Sequence, residues 1–334
     1  MGDDDRVLVI AECGVNHNGK IENALRLVEV AAEAGADIVK FQTFTAEALV
    51  VNKNPKNQPD SGVETQYVML KKLQLERAHH LELIDHCNKC RIEFLSTPFD
   101  LESIRYLAGL DLSYFKIPSG EITNLPYLRL VGGYGKPIIL STGMADESEI
   151  ETALDILEAS GTQREKITML HCNTAYPTPM KDVNLRAMIG LREKFGVVVG
   201  YSDHTLGIEV PVAAVAMGAR VIEKHLTLDR NLPGPDHLSS LMPNEFEQMT
   251  KAIRSIEIAL GDGVKQVSPS ERENRLKVRK SIVASKVIKV GEEYSLGNLT
   301  TKRPGKGLSP MCWDQVIGRR AERDYQKDEL IDPI

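Results

Sequence analysis

Two histidines and two lysines carry most of the chemical interest of this chain. His204 and His225 stand directly after short apolar runs, in the stretches GYSDHT and IEKH. Neutral imidazole is a common ligand of divalent transition metals. Two imidazoles at the ends of adjacent strands, with carboxylates nearby and positions left for water, would hold Mn2+, Fe2+, Co2+ or Zn2+ as a Lewis acid. Either histidine alone would read as a hydrogen-bonded core residue; their joint placement points to a metal. Lys40 and Lys116 interrupt apolar runs. A cation inside a strand must meet an anion. That anion is either a structural carboxylate such as Glu12 or Glu121, or a bound phosphate or carboxylate, with Ser119 and Ser141 supplying hydroxyls. The hydroxyls tip the reading toward a bound anion. Glu12 and Glu121 also have the chemistry of an acid, a base or a hydroxyl binder. His17, in a glycine-rich stretch, is a candidate third metal ligand. His79, His80 and His86 read as a solvated helix face, and His171 as structural. Cys87 and Cys90 have redox or zinc spacing but no second pair, and read as ordinary helix thiols.

These residues need elements to position them. Eight short β-rich runs, Val7–Ala11, Ile38–Phe41, Glu93–Leu95, Tyr114–Ile117, Pro137–Leu140, Ile167–Leu170, Val197–Val199 and Val221–Glu223, alternate with stretches of helical period. Among the helices, Asn23–Ala34 stops at Gly35, Leu75–Lys89 keeps the same period, and Asp146–Ser160 opens acidic and stops at Gly161, as the helix dipole prefers. Parallel strands need crossover helices, so eight such units predict a (β/α)8 TIM barrel over residues 1–262. A doubly wound open sheet is the runner-up. In a barrel the active site lies at the carboxyl ends of the strands, and the residues there are polar after nearly every run. The long polar connection Thr43–Gln74, with NKNPKNQPD, reads as a lid or binding loop. After a charged linker at 263–280, short strand-like pieces predict a small, mainly β domain at 281–334.

Composition excludes several classes. No apolar run is long enough to span a membrane, and the acidic start MGDDDR does not suit a signal-peptide n-region, so a cytoplasmic protein is expected. A formal net charge of −6 argues against nucleic acid or an anionic membrane as partner. Five scattered cysteines do not suggest a disulfide framework. No glycine-rich loop of the nucleotide-binding kind follows a strand, and no Ser-His-Asp elbow is present.

The stretches AECGVNHNG, VKFQTF, STPFD, FKIPSGEITN, LSTGM, LHCNTAYPTP, GYSDHT, IEKH and GPDH fall in order on the expected strand ends. Together they resemble the sialic acid synthases of the NeuB type. The tail SIVASKVIKVGEEYSLGNLTTKRPGKG is similar to that family's antifreeze-like (SAF) domain. The resemblance implies a transferase that condenses phosphoenolpyruvate with an open-chain N-acylated amino sugar. N-acetylmannosamine would give N-acetylneuraminate and phosphate, with C–O cleavage. The alternative acceptor is 2,4-diacetamido-2,4,6-trideoxymannose, giving N,N'-diacetyllegionaminate. By motif, Lys40, Lys116, Ser119 and Ser141 would bind phosphoenolpyruvate, and His204 and His225 would bind Mn2+ or a similar ion such as Mg2+ or Co2+. Glu121 and Asp236 would hold sugar hydroxyls, Glu12 and Gln42 would line the site, and Tyr176 would lie beside the substrates. Arg303 would reach the N-acyl group from the partner subunit of a domain-swapped homodimer. Some relatives carry Asn where this chain has Thr174, so either Asn173 or Thr174 would supply the phosphoenolpyruvate contact of that strand. Two rivals from other classes are a Schiff-base lyase using Lys40, Lys116 or Lys224, and a non-catalytic sugar-binding protein. The first leaves the histidine pair idle. The second leaves the polar strand ends without a purpose.

Overall fold

The computed structural model describes residues 6–51 and 66–333. Two compact units are present, Met1–Gly261 and Asp262–Ile334. In the first, eight strands form one parallel sheet: β1 (Leu8–Gly14), β2 (Ile38–Thr43), β3 (Glu93–Pro98), β4 (Phe115–Ile117), β5 (Ile138–Ser141), β6 (Ile167–Cys172), β7 (Val198–Asp203) and β8 (Val221–His225). Their order is β3-β2-β1-β8-β7-β6-β5-β4, and β3 lies against β4 to close the ring. The expected TIM barrel is therefore the observed fold. The strands are rich in Val, Ile and Leu because a parallel sheet is covered on both faces. Eight helices form the outer layer: α1 (Ile21–Glu33), α2 (Arg77–Cys90), α3 (Leu101–Ala108), α4 (Leu125–Gly132), α5 (Glu147–Ser160), α6 (Leu185–Phe195), α7 (Glu209–Ala216) and α8 (Pro243–Leu260).

The large core fills the space between this layer and the sheet. The helix ends follow local chemistry. Asp146 and Glu149 form a reciprocal capping box at the start of α5, and Gly161 follows its end, which satisfies backbone donors that would otherwise be left bare. At the amino-terminal side of the barrel, Arg254 of α8 bonds the Val7 carbonyl, Asp37 and Glu257, tying α8 to the starts of β1 and β2.

Two expectations change in this layer. The helix expected over Leu75–Lys89 is α2, from Arg77, but the connection Thr43–Gln74, expected as a loop, carries two short helices, Ala46–Leu49 and Gln66–Leu73. His80 is not solvated: it is fully buried, its Nε2 lies 2.8 Å from Thr43 Oγ1, and Thr43 is 2.6 Å from Ser96 Oγ. It shares the buried face of its helix with Leu83 and Cys87, and its side chain points at the outer face of β2 and β3. Cys87 is buried in the same helix interface and Cys90 is half-buried. The stretch NKNPKNQPD, read as a lid or binding loop, lies outside the described residues. Among the described residues no helix is long and apolar enough to cross a membrane.

The second unit has its own core of Ile282, Ala284, Ile288, Leu299 and Tyr325. Strands β9 (Ser281–Ala284) and β10 (Leu299–Lys302) pair antiparallel, and isolated bridges join Ile288 to Tyr325 and Glu293 to Arg320. The stretch 263–280, expected as linker, falls within this unit. It contains α9 (Arg272–Val278), whose Leu276 carbonyl accepts from Gly305 N.

Candidate active site

Side chains on a strand alternate between faces, so the barrel interior is built in storeys two residues apart. The lowest is apolar: Ile10, Ile38, Leu95, Ile139, Leu170 and Val221 pack on one another inside the ring. Gly200 of β7 has no room for a side chain there, since a Cβ would come within 2.6 Å of Leu170 Cδ2 and 2.3 Å of the Val221 carbonyl. Two residues further along the eight strands stand Glu12, Lys40, Thr97, Lys116, Ser141, Cys172, Ser202 and Glu223. One step higher stand Gln42, Phe99, Pro118, Thr174, His204 and His225. Both upper storeys line a single cleft of about 200 Å3, open to solvent at its mouth.

The middle storey is a buried charge cluster. Lys40 Nζ makes a close ion pair with Glu12, donates to Thr97 Oγ1 at 3.0 Å and lies 3.6 Å from Glu223 Oε2. Lys116 donates to Ser141 Oγ at 2.7 Å and lies 3.7 Å from Glu223 Oε1. Burial of the Lys40 ammonium pushes its pKa down to about 7, although the Glu223 carboxylate pulls it up. Burial acts on Glu223 in the opposite sense, but the Lys116 and Lys40 cations prevail and hold its carboxyl below the usual value. Neither lysine is given over to one structural partner, and Glu12 Oε1 is buried without a hydrogen bond.

The upper storey holds the imidazoles. The ring centroids of His204 and His225 are 5.4 Å apart. His204 Nδ1 lies 2.5 Å from the Asn173 carbonyl. A carbonyl only accepts, so Nδ1 carries the proton and Nε2 keeps its lone pair for a ligand. Tyr176 stacks on His204 with centroids 4.0 Å apart. Burial lowers the pKa of both histidines, which keeps them neutral and ready to ligate. His225 Nδ1 is buried without a hydrogen bond, 3.9 Å from Asp236 Oδ2. Among the described residues no three His, Cys, Asp or Glu form a ready-made cluster, so an ion held by this pair would take its other ligands from water and substrate. The orphaned imidazole nitrogen, the free Nε2 and the carboxylates beside them fit such an open site.

The structure gathers Glu12, Lys40, Gln42, Lys116, Ser119, Ser141, Thr174, Tyr176, His204 and His225 around the cleft. Five residues singled out in the sequence, Asp236, Glu121, Asn173, Arg303 and His17, do not line it. Asp236 stands beside it: a Cβ on Gly14 would lie 3.4 Å from Asp236 Oδ2, 3.2 Å from Gln42 Nε2 and 2.8 Å from Glu12 Oε1. Burial raises the Asp236 pKa to about 6. Glu121, next to the cleft residue Gly120, turns its carboxylate to Asn124. Asn173 accepts from Ala175 N and lends its carbonyl to His204, while the Thr174 side chain faces Gly143 and Ser119. Arg303 belongs to the second unit and is exposed there. His17 is buried against Phe41, with Nδ1 accepting from Gly19 N, and does not line the cleft. Sequence reading had not chosen Glu223, Ser202, Thr97 or Cys172. Each lies two residues from a chosen or neighbouring inward position, so strand parity was the signal that finds them.

Comparison with known proteins agrees with this architecture. The NeuB family matches residues 27–265 and the SAF domain residues 279–333. N,N'-diacetyllegionaminic acid synthase of Campylobacter jejuni is 53% identical over 330 residues, 98% of this chain and 99% of that one. The enzyme of the same name from Legionella pneumophila is 45% identical over 93% of this chain and 89% of its own. The crystal structure of the N-acetylneuraminic acid (sialic acid) synthetase of Leptospira borgpetersenii, in complex with citrate, has a TM-score of 0.73 at 34% identity and covers 82% of this chain and 93% of that one. A barrel whose strand ends carry this charge cluster and histidine pair, followed by a SAF domain, thus belongs to the NeuB family and is an enzyme of the sialic acid synthase kind.

Proposed function

We propose that the enzyme condenses phosphoenolpyruvate with 2,4-diacetamido-2,4,6-trideoxymannose, giving N,N'-diacetyllegionaminate and phosphate. One observation carries the reaction class: a single cleft holds Lys40 and Lys116, on β2 and β4, one storey below His204 and His225 at the ends of β7 and β8. The first site suits a small polyanion and the second a divalent ion. The choice of acceptor departs from N-acetylmannosamine, the first expectation from sequence. It is supported by the names of the relatives at 53% and 45% identity. The apolar surfaces of Phe99, Pro118 and Met144 at the cleft also suit the methyl groups of such a sugar.

In this reading Lys40, Lys116, Ser119, Ser141 and Gln42 bind phosphoenolpyruvate, with Thr174 rather than Asn173 completing the contact. His204 and His225 hold Mn2+, with Mg2+ or Co2+ as alternatives. Bound there, the ion supplies Lewis-acid polarisation of the acceptor aldehyde. The enol carbon attacks that aldehyde, and Glu12 takes a proton from the water that adds at C2. Phosphate then leaves with C–O cleavage, its charge met by the two lysines. Asp236 and Glu121 hold sugar hydroxyls, Tyr176 packs beside the sugar, and Arg303 of the partner subunit engages the N-acyl group in a swapped homodimer in the cytoplasm. The lowered pKa of Lys40 favours one rival, a Schiff-base lyase, which borohydride with pyruvate would trap and the synthase would not.

The test is phosphate release from phosphoenolpyruvate with Mn2+ and each acceptor. We expect kcat/KM for the diacetamido sugar to exceed that for N-acetylmannosamine by about tenfold or more, a difference of about 1.4 kcal/mol. A reversed preference overturns the acceptor, and no release with either overturns the reaction.

A further inference from the structure

We infer that a buried ion pair on the outer face of the sheet, Asp203 with Lys224, positions the two histidines for metal. The inference rests on the metal-site reading of His204 and His225. Asp203 and Lys224 are register partners on β7 and β8. Each is the residue immediately before one of the histidines, and strand alternation turns them away from the cleft. Both side chains are fully buried, with Lys224 Nζ 2.5 Å from Asp203 Oδ2.

The bonds around the pair bracket His204. Asp203 Oδ1 accepts from Thr205 N at 3.0 Å, Asp203 Oδ2 accepts from Thr205 Oγ1 at 2.9 Å, and Lys224 Nζ donates to the Thr205 carbonyl at 2.5 Å. A side-chain carboxylate that accepts from the amide two residues on closes a ring around the residue between them, and so sets that residue's backbone angles. Here the residue between is His204. The same ammonium belongs to the residue that precedes His225. One ion pair therefore fixes both the backbone at His204 and the spacing of β7 from β8, while the Asn173 carbonyl fixes the His204 ring. A buried pair of this kind adds little net stability over apolar residues of the same shape, so its use here lies in placement rather than in holding the fold. Asp203 and Lys224 are thus positioning residues that touch neither substrate nor ion.

Two variants test this. Asp203→Leu with Lys224→Met removes both charges together, so neither is left buried without its counter-ion, although Thr205 loses its three bonds to the pair; Thr205→Val removes one arm and keeps the shape. Mn2+ affinity of the substrate-free protein is measured by titration calorimetry, beside thermal unfolding of the metal-free protein and phosphoenolpyruvate affinity. We expect the double variant to unfold cooperatively at a somewhat lower temperature, because Thr205 loses buried hydrogen bonds, to keep phosphoenolpyruvate affinity and to lose about 10- to 100-fold in Mn2+ affinity. Thr205→Val should lose about threefold or more, a smaller share of the same loss. Wild-type Mn2+ affinity in the double variant overturns the inference. Should the double variant not fold, wild-type affinity in Thr205→Val overturns it instead. A wild-type protein that binds no Mn2+, or binds it equally after His204→Ala, overturns the metal site itself and this inference with it.

Discussion

The lowest and middle storeys of the barrel interior are made by the same strands, two residues apart. Ile10, Ile38, Leu95, Ile139, Leu170 and Val221 form one; Glu12, Lys40, Thr97, Ser141, Cys172 and Glu223 stand directly above them. Both are buried and both obey the same alternation. The lower storey is made of apolar side chains packed on one another. The upper, with Lys116, gathers two cations and two carboxylates around a cleft, where each charge lies within 4 Å of an opposite one. A barrel can keep so many charges inside because the storey beneath supplies the rigidity they do not. Position along the strand, rather than burial, separates structure from chemistry.

That contrast can be broken from either side. The largest effect is expected from Lys40→Met, which makes the middle storey resemble the lower one. Turnover with phosphoenolpyruvate should fall by about a thousandfold or more, since cutting one partner from a buried charge pair costs roughly 2–5 kcal/mol, while circular dichroism shows the barrel retained. Activity within about tenfold of wild type would remove Lys40 from the anion site. Next comes Leu95→Ala in the lower storey, which should lower stability by about 3 kcal/mol through the cavity it leaves. Denaturant unfolding measures that loss, and KM for phosphoenolpyruvate should stay unchanged. A change in KM with little loss of stability would show that the storeys are not separate.

The smallest effect concerns pH. Burial holds the Lys40 pKa at about 7, and only the charged form attracts an anion. KM for phosphoenolpyruvate should therefore rise above about pH 7, by up to about tenfold per unit. The sign for stability follows from the same shift. The unfolded chain binds this proton more tightly than the folded one, so Lys40 contributes stability that rises with pH between about 7 and its ordinary value of 10.5. A KM that does not change between roughly pH 6 and 9 would contradict the low pKa in the working enzyme.

The barrel was legible in the sequence because eight apolar runs alternate with helical periods, and a parallel sheet admits few other arrangements. The tail domain showed in its change of style, although the stretch read as linker carries α9, a seven-residue helix too short and too polar to stand out. Much of the site was legible too, since Lys40, Lys116, Ser141, His204 and His225 are polar residues in or just after apolar runs. Glu223 was passed over beside Lys224 and His225, because three polar residues in a row do not announce which of them turns inward. His80 misled because a polar residue beside His79 reads as solvated, while its contacts, Thr43 and Phe94, come from strands beneath the helix.

By itself the sequence determined the periodicities, and with them the eight strands, their helices and the level at which polar residues enter the interior. These are local properties of one chain segment at a time. Only the tertiary structure decided which residues share the cleft, that Thr174 and not Asn173 faces it, and that Lys40 and Lys116 divide Glu223 between them. Closing the ring brings β2, β4, β7 and β8 together across long separations in the chain, and a charge is set by what surrounds it in space.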